Sequence, residues 1–160
     1  MRIGEVAIIS HASHEAEAFI RAICQRIDFT SQSVSFGRLE VNENLMLHLY
    51  GISAKLNLRS LELVSQKILG FIVIFDWEDK QALEFTKAVL DHCSKNFNAP
   101  IVVVASIKDK KDPPIPDRFF QLEGIPLSSG CRFTFGQIDD TQNARDILRL
   151  LINMLIDKAD

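Results

Sequence analysis

Apolar positions along the chain recur at two spacings. Five runs are short, rich in β-branched residues, and strand-like: IGEVAII (3–9), VSFGRLEV (34–41), NLMLHLY (44–50), GFIVIFD (70–76) and PIVVVAS (100–106). The runs at 70–76 and 100–106 are continuously apolar, which predicts strands buried on both faces. Only Asn42 and Glu43 separate the second run from the third, which predicts an antiparallel hairpin. The second run alternates more and reads as the edge strand.

Helical spacing fills the gaps. Over 14–27, Ala16, Phe19, Ile20, Ile23, Cys24 and Ile27 form one stripe, with Ser13 as the expected N-cap. Leu61, Val64 and Ile68 form another over 58–69. Over 79–96 the stripe is Ala82, Phe85, Val89 and Cys93, capped by Asp79. Over 141–157 it is Ile147, Leu148, Leu151, Met154 and Leu155. The segment KDKKDPPIPD is a charged surface loop, because its prolines forbid a regular element. Strands alternating with helices predict an α/β domain spanning 1–160, with a mostly parallel sheet and helices on both faces. A hairpin directly after the first helix argues against flavodoxin-like and receiver folds, which place a helix there.

Composition narrows the function. The chain has 160 residues, 47% hydrophobic and 24% charged, with net charge −3. No basic block exists to meet nucleic acid, and no apolar run is long enough to span a membrane. The opening MRIGEVAIIS lacks the pattern of a secretory leader. Cys24, Cys93 and Cys131 fit neither a disulfide framework nor a paired-cysteine metal site. The expected compartment is the cytoplasm.

Three stretches then carry a resemblance: AFIRAI after the first turn, TSQSVSFGRLEV into the second strand, and LMLHLYG along the third. Together they resemble the prokaryotic Ras-like small GTPases of the MglA type, over nearly the whole chain. The resemblance implies a P-loop small-GTPase-like fold with six strands, one of them an antiparallel edge strand. Phe36, Gly37 and Arg38 match the family's Phe-Gly-Arg. Thr30 and Ser31 stand at the switch threonines, and Ser35 replaces an acidic residue. The partners implied are a roadblock-type protein or a related active GTPase; a second copy of the chain is a further candidate.

The family's chemistry-bearing positions have changed. A phosphate loop needs glycines that turn backbone N–H groups toward phosphate, a lysine for the β and γ oxygens, and a hydroxyl for Mg²⁺. Those positions are Ser10, Glu15, Ala16 and Glu17 here. The Gly-Gln pair that positions water falls on Ala54 and Lys55. Of the base-recognition motif only Asp109 remains. A lost lysine removes about 1.5–3 kcal/mol, and a carboxylate beside phosphate adds up to roughly 4 kcal/mol of repulsion. A sum of about 5 kcal/mol weakens binding at least about a thousandfold. The expectation is a pseudo-GTPase that acts by protein interaction, with no nucleotide, cofactor or metal. The alternative is a divergent GTP-binding protein with altered contacts.

Other candidates have plainer readings. Glu15 and Glu17 favour the helix macrodipole and are expected to be solvated. His11 and His14 lie near them, but not at the spacing of the two-histidine zinc motif. Cys93 lies on an apolar stripe and reads as a buried thiol. His48 reads as a satisfied strand histidine. Tyr50 and Trp77 are placed at strand ends, where ligands of parallel sheets gather. Helix geometry extended back from 58–69 sets Leu56 and Leu63 opposite the core stripe, near Arg59. With Tyr50 these residues form the expected partner patch.

Overall fold

The computed structural model describes residues 1–24, 27, 29–30, 34–53, 67–108 and 130–159. Continuous apolar runs do form the centre of the sheet. The elements in chain order are β1 (Arg2–Ser10), α1 (Ser13–Ile23), β2 (Phe29–Thr30), β3 (Val34–Asn42), β4 (Leu45–Ser53), β5 (Gly70–Asp76), α2 (Lys80–Asn96), β6 (Ile101–Ser106), β7 (Cys131–Gly136) and α3 (Thr141–Ala159). The seven strands lie in the order β2-β3-β4-β1-β5-β6-β7. β3 runs antiparallel to both neighbours, and every other adjacent pair is parallel. The expected sheet had six strands with β3 at the edge. The two-residue β2 adds a seventh beyond it, pairing with Ser35 and Phe36.

The pleat splits the core. Val6, Ile8, Leu47, Leu49, Ile72, Ile74, Val102 and Val104 face α1 and α3. Ala7, Ile9, Phe71, Val73, Phe75, Val103 and Ala105 face the side covered by α2. Both faces of β5 and β6 are therefore apolar, and their runs do not alternate.

The hairpin turns one residue later than expected. Asn42 belongs to β3, and its Oδ1 accepts the Asn44 N–H at 2.7 Å, closing a local turn over Glu43 and Asn44. β4 continues to Ser53, so Tyr50 is mid-strand and not at a strand end. Gly37 and Gly51 let α1 lie close on this hairpin. A Cβ at Gly37 would stand 2.7 Å from Ile20 Cγ2 and 3.0 Å from Cys24 Sγ, and one at Gly51 would collide with Ser35 Oγ. Gly37 of the Phe-Gly-Arg stretch thus has a packing reason of its own.

Helix limits differ in three places. α1 stops at Ile23, and Cys24 is extended where it meets Gly37. Ser13 is the first helical residue, and the N-cap is Ala12, whose methyl cannot cap. Ile68 does not belong to a helix: residues 67–69 lead into β5 as turn and coil, with Ile68 buried and the Leu69 N–H bonded to Glu5 O. The rest of the 58–69 helix lies outside the described residues. α2 begins as expected, with Asp79 Oδ1 accepting the N–H groups of Gln81 and Ala82 at 3.0 and 3.3 Å.

Candidate functional site

The carboxyl ends of β1 and β5 meet the amino ends of α1 and α2, the place where ligands of parallel sheets bind. Ser10 is fully buried there. Its hydroxyl donates to Ala12 O at 2.6 Å and accepts the Ala16 N–H at 3.2 Å. It knots the turn in place of the missing cap.

Glu15 departs furthest from expectation. It is 4% exposed, not solvated. Three residues past the N-cap, its carboxylate takes the Ala12 N–H, the half of a capping box that a glutamate supplies. Burial pushes this carboxyl up to about 7; the Ala12 hydrogen bond pulls down, and Asp76 and Asp79 push further up. Glu17 behaves as the dipole argument required, half-exposed and bonded to Arg21 at 2.9 Å.

Two carboxylates, Asp76 and Asp79, act on Glu15, a meeting that no motif pointed to. His11 Nδ1 lies 3.9 Å from Asp79 Oδ2, and its ring packs on Phe85 with centroids 4.9 Å apart. Asp76 Oδ1 accepts the Glu78 N–H at 3.0 Å. Ser53 Oγ reaches His11 O at 3.5 Å. Asp76 and Asp79 thus have structural duties, one in a turn and one in a cap. Asp79 was expected as the cap, and the place of Asp76 at the end of a buried parallel strand was the signal available for it.

Ala16 is buried beneath β4, near Gly51. Ser35 is buried and pairs with Gly51. Thr30 lies in β2. Tyr50 is half-buried against Phe36, centroids 5.1 Å apart. Burial raises its hydroxyl above the usual tyrosine range, with Glu5 adding. His48 meets the same Phe36 ring edge-on at 5.2 Å. Ser31, Ala54, Lys55, Leu56, Arg59, Leu63 and Asp109 lie outside the described residues.

Trp77 packs at 4.9 Å against Phe135, edge to face, and is 4% exposed. Phe75 and Phe133 join the cluster, so Trp77 is core and not a ligand platform. Cys93 is buried as expected, and burial pushes its thiol up to about 12.

No helix among the described residues is long and apolar enough to cross a membrane. No protein-family model matches the sequence, and a search of curated proteins finds no match.

Proposed function

We propose that this chain is a pseudo-GTPase, a small-GTPase-like domain that has given up nucleotide and works by binding other proteins. One observation carries the reading: the turn that would cradle phosphate is filled by the chain's own groups. A phosphate-binding helix end offers free N–H donors and a positive dipole. At α1 the Ala12 N–H goes to the Glu15 carboxylate and the Ala16 N–H goes to Ser10. Asp76 and Asp79 add negative charge around the same point. A polyphosphate there would displace the buried Ser10–Ala16 hydrogen bond and face repulsion from Asp76 and Asp79.

The strand order and the single antiparallel strand support the fold that the motifs resemble. The partner is a roadblock-type protein, a related active GTPase, or a second copy of the chain. It meets the surface near Tyr50 and the segment holding Leu56, Arg59 and Leu63. Calorimetry with GTP and GDP, with and without Mg²⁺, tests the nucleotide claim. No binding tighter than millimolar is expected, and micromolar binding would overturn the reading in favour of a divergent GTP-binding protein. Leu56→Asp with Leu63→Asp tests the surface: a folded double variant that still binds its partner places the interface elsewhere.

A further inference from the structure

A cavity of about 500 Å³ lies at the amino ends of β6 and β7, within the size range of small-molecule sites. β1, β5, β6 and β7 are parallel, so it sits at the end of the sheet opposite the Ser10 turn, and nothing about it rests on the nucleotide reading. Three parts of the chain build it: the link between α2 and β6, the start of β7, and the C-terminal end of α3.

Each wall has a local cause. Arg132 pairs with Val102 across the parallel ladder, and paired residues point to one face. Its side chain therefore leaves on the face that Val102 and Val104 make apolar beneath α3. On α3, Asp157 and Lys158 follow the buried Met154 by three and four residues, so all three share one side of the helix. Lys158 Nζ reaches across to the link, donating to Asn98 O at 2.7 Å and to Asn98 Oδ1 at 3.1 Å. The backbone carbonyls of the floor are taken as well. Pro100 O accepts the Phe71 N–H and Gly130 O accepts the Ile101 N–H, both at 2.9 Å.

Two opposite charges are left over. Among the described residues, the Arg132 guanidinium and the Asp157 carboxylate line this one cavity, yet neither makes a hydrogen bond or an ion pair. Each breaks a structural rule. An edge strand does carry inward charges that discourage pairing, but that accounts for Arg132 alone. Asp157 stands in the last turn of α3, where the macrodipole favours cations and disfavours a carboxylate. A simple anion would gain Arg132 and meet Asp157 and the negative helix end. A simple cation would gain those two and meet Arg132 and Lys158. A molecule carrying both charges satisfies both sides.

We propose that this cavity binds a free α-amino acid with an apolar side chain. Its carboxylate lies on the guanidinium fork of Arg132, its ammonium on Asp157 at the end of α3, and its side chain against Ala99, Pro100 and Met154.

The test uses the full chain. Leucine, methionine and phenylalanine are each titrated by calorimetry, and the backbone amide shifts of Ala99, Gly130 and Asp157 are followed in parallel. At least one should bind at millimolar affinity or tighter, moving those amides and leaving Ala12–Ala16 unmoved. Arg132→Gln and Asp157→Asn should each weaken that binding about tenfold or more. The charges are also removed from the ligand, so the result stands even where a variant does not fold. For the amino acid that binds best, the analogues lacking the ammonium or the carboxylate (isocaproate and isoamylamine in the case of leucine) should each bind wild type about tenfold more weakly or worse. Failure of all three amino acids to bind overturns the proposal. So does an acid analogue that binds as well as its amino acid, which would mark a simple anion site. Binding that moves amides elsewhere, or that is indifferent to either folded variant, overturns it too.

Discussion

His11 Nδ1 faces Asp79 Oδ2 across 3.9 Å, and the same carboxylate caps α2 through its other oxygen. One side chain thus fixes the start of a helix and ties it to the turn after β1. The two duties differ in strength. Asp79 is 42% exposed, so its attraction to His11 is screened and amounts to less than about 1 kcal/mol. The cap amounts to about 1 kcal/mol. Asp79→Ala should lower stability by about 1–2 kcal/mol, while Asp79→Ser, which keeps the cap, should recover most of it. Urea denaturation reads both. Equal losses in the two variants would show that the cap is not the main contribution.

Glu15 makes stability depend on pH. Its value rises from 4.5 in the unfolded chain to about 7 in the folded one. The folded state therefore keeps its proton over a range where the unfolded state has released it. The stability this gives is full below about pH 4.5, declines between there and about 7, and is lost above 7. At about 1.4 kcal/mol per unit the full span is at most about 3.5 kcal/mol. Urea midpoints across that window should fall in wild type and fall less steeply in Glu15→Gln. Parallel slopes would refute the assignment.

Gly37 and Gly51 set how closely α1 approaches the hairpin. A methyl at Gly37 would press on Ile20, which is fully buried and cannot swing away. Gly37→Ala and Gly51→Ala should each cost about 1–3 kcal/mol by overpacking. Ile20→Val, which trims the opposing side chain, should make Gly37→Ala cheaper, a coupling that a double-mutant cycle measures. Strict additivity would mean that the backbone relaxes instead.

The thiols of Cys93 and Cys131 should be inert while the chain is folded. Burial pushes them up to about 12 and about 11, so almost no thiolate is present near neutrality. Alkylation by iodoacetamide should proceed only through opening of the fold and quicken in urea. Fast labelling of either in buffer would contradict the burial.

Much of the fold was legible because it follows from short-range spacing. The runs at 70–76 and 100–106 became β5 and β6, and the stripe from Ala82 to Cys93 became the buried face of α2. Asp79 capped that helix, since a cap needs only the residue and its next three neighbours. Glu15 was legible in part: it lies four residues before Phe19, on the core stripe of α1, and that spacing outranked the dipole argument that treated it like Glu17. What no spacing revealed was the meeting of His11, Glu15, Asp76 and Asp79. Between Glu15 and Asp76 lie β2, the β3–β4 hairpin and the crossover into β5, and only the parallel pairing of β1 with β5 brings these residues to one end of the sheet. Local spacing is enough to mark the long strands and the helices α1, α2 and α3, and the residues after β1 visibly lack the glycines and lysine of a phosphate loop. The tertiary structure alone decided that this turn is closed by its own side chains, because burial and the field of neighbouring charges belong to the assembled sheet and not to any one segment.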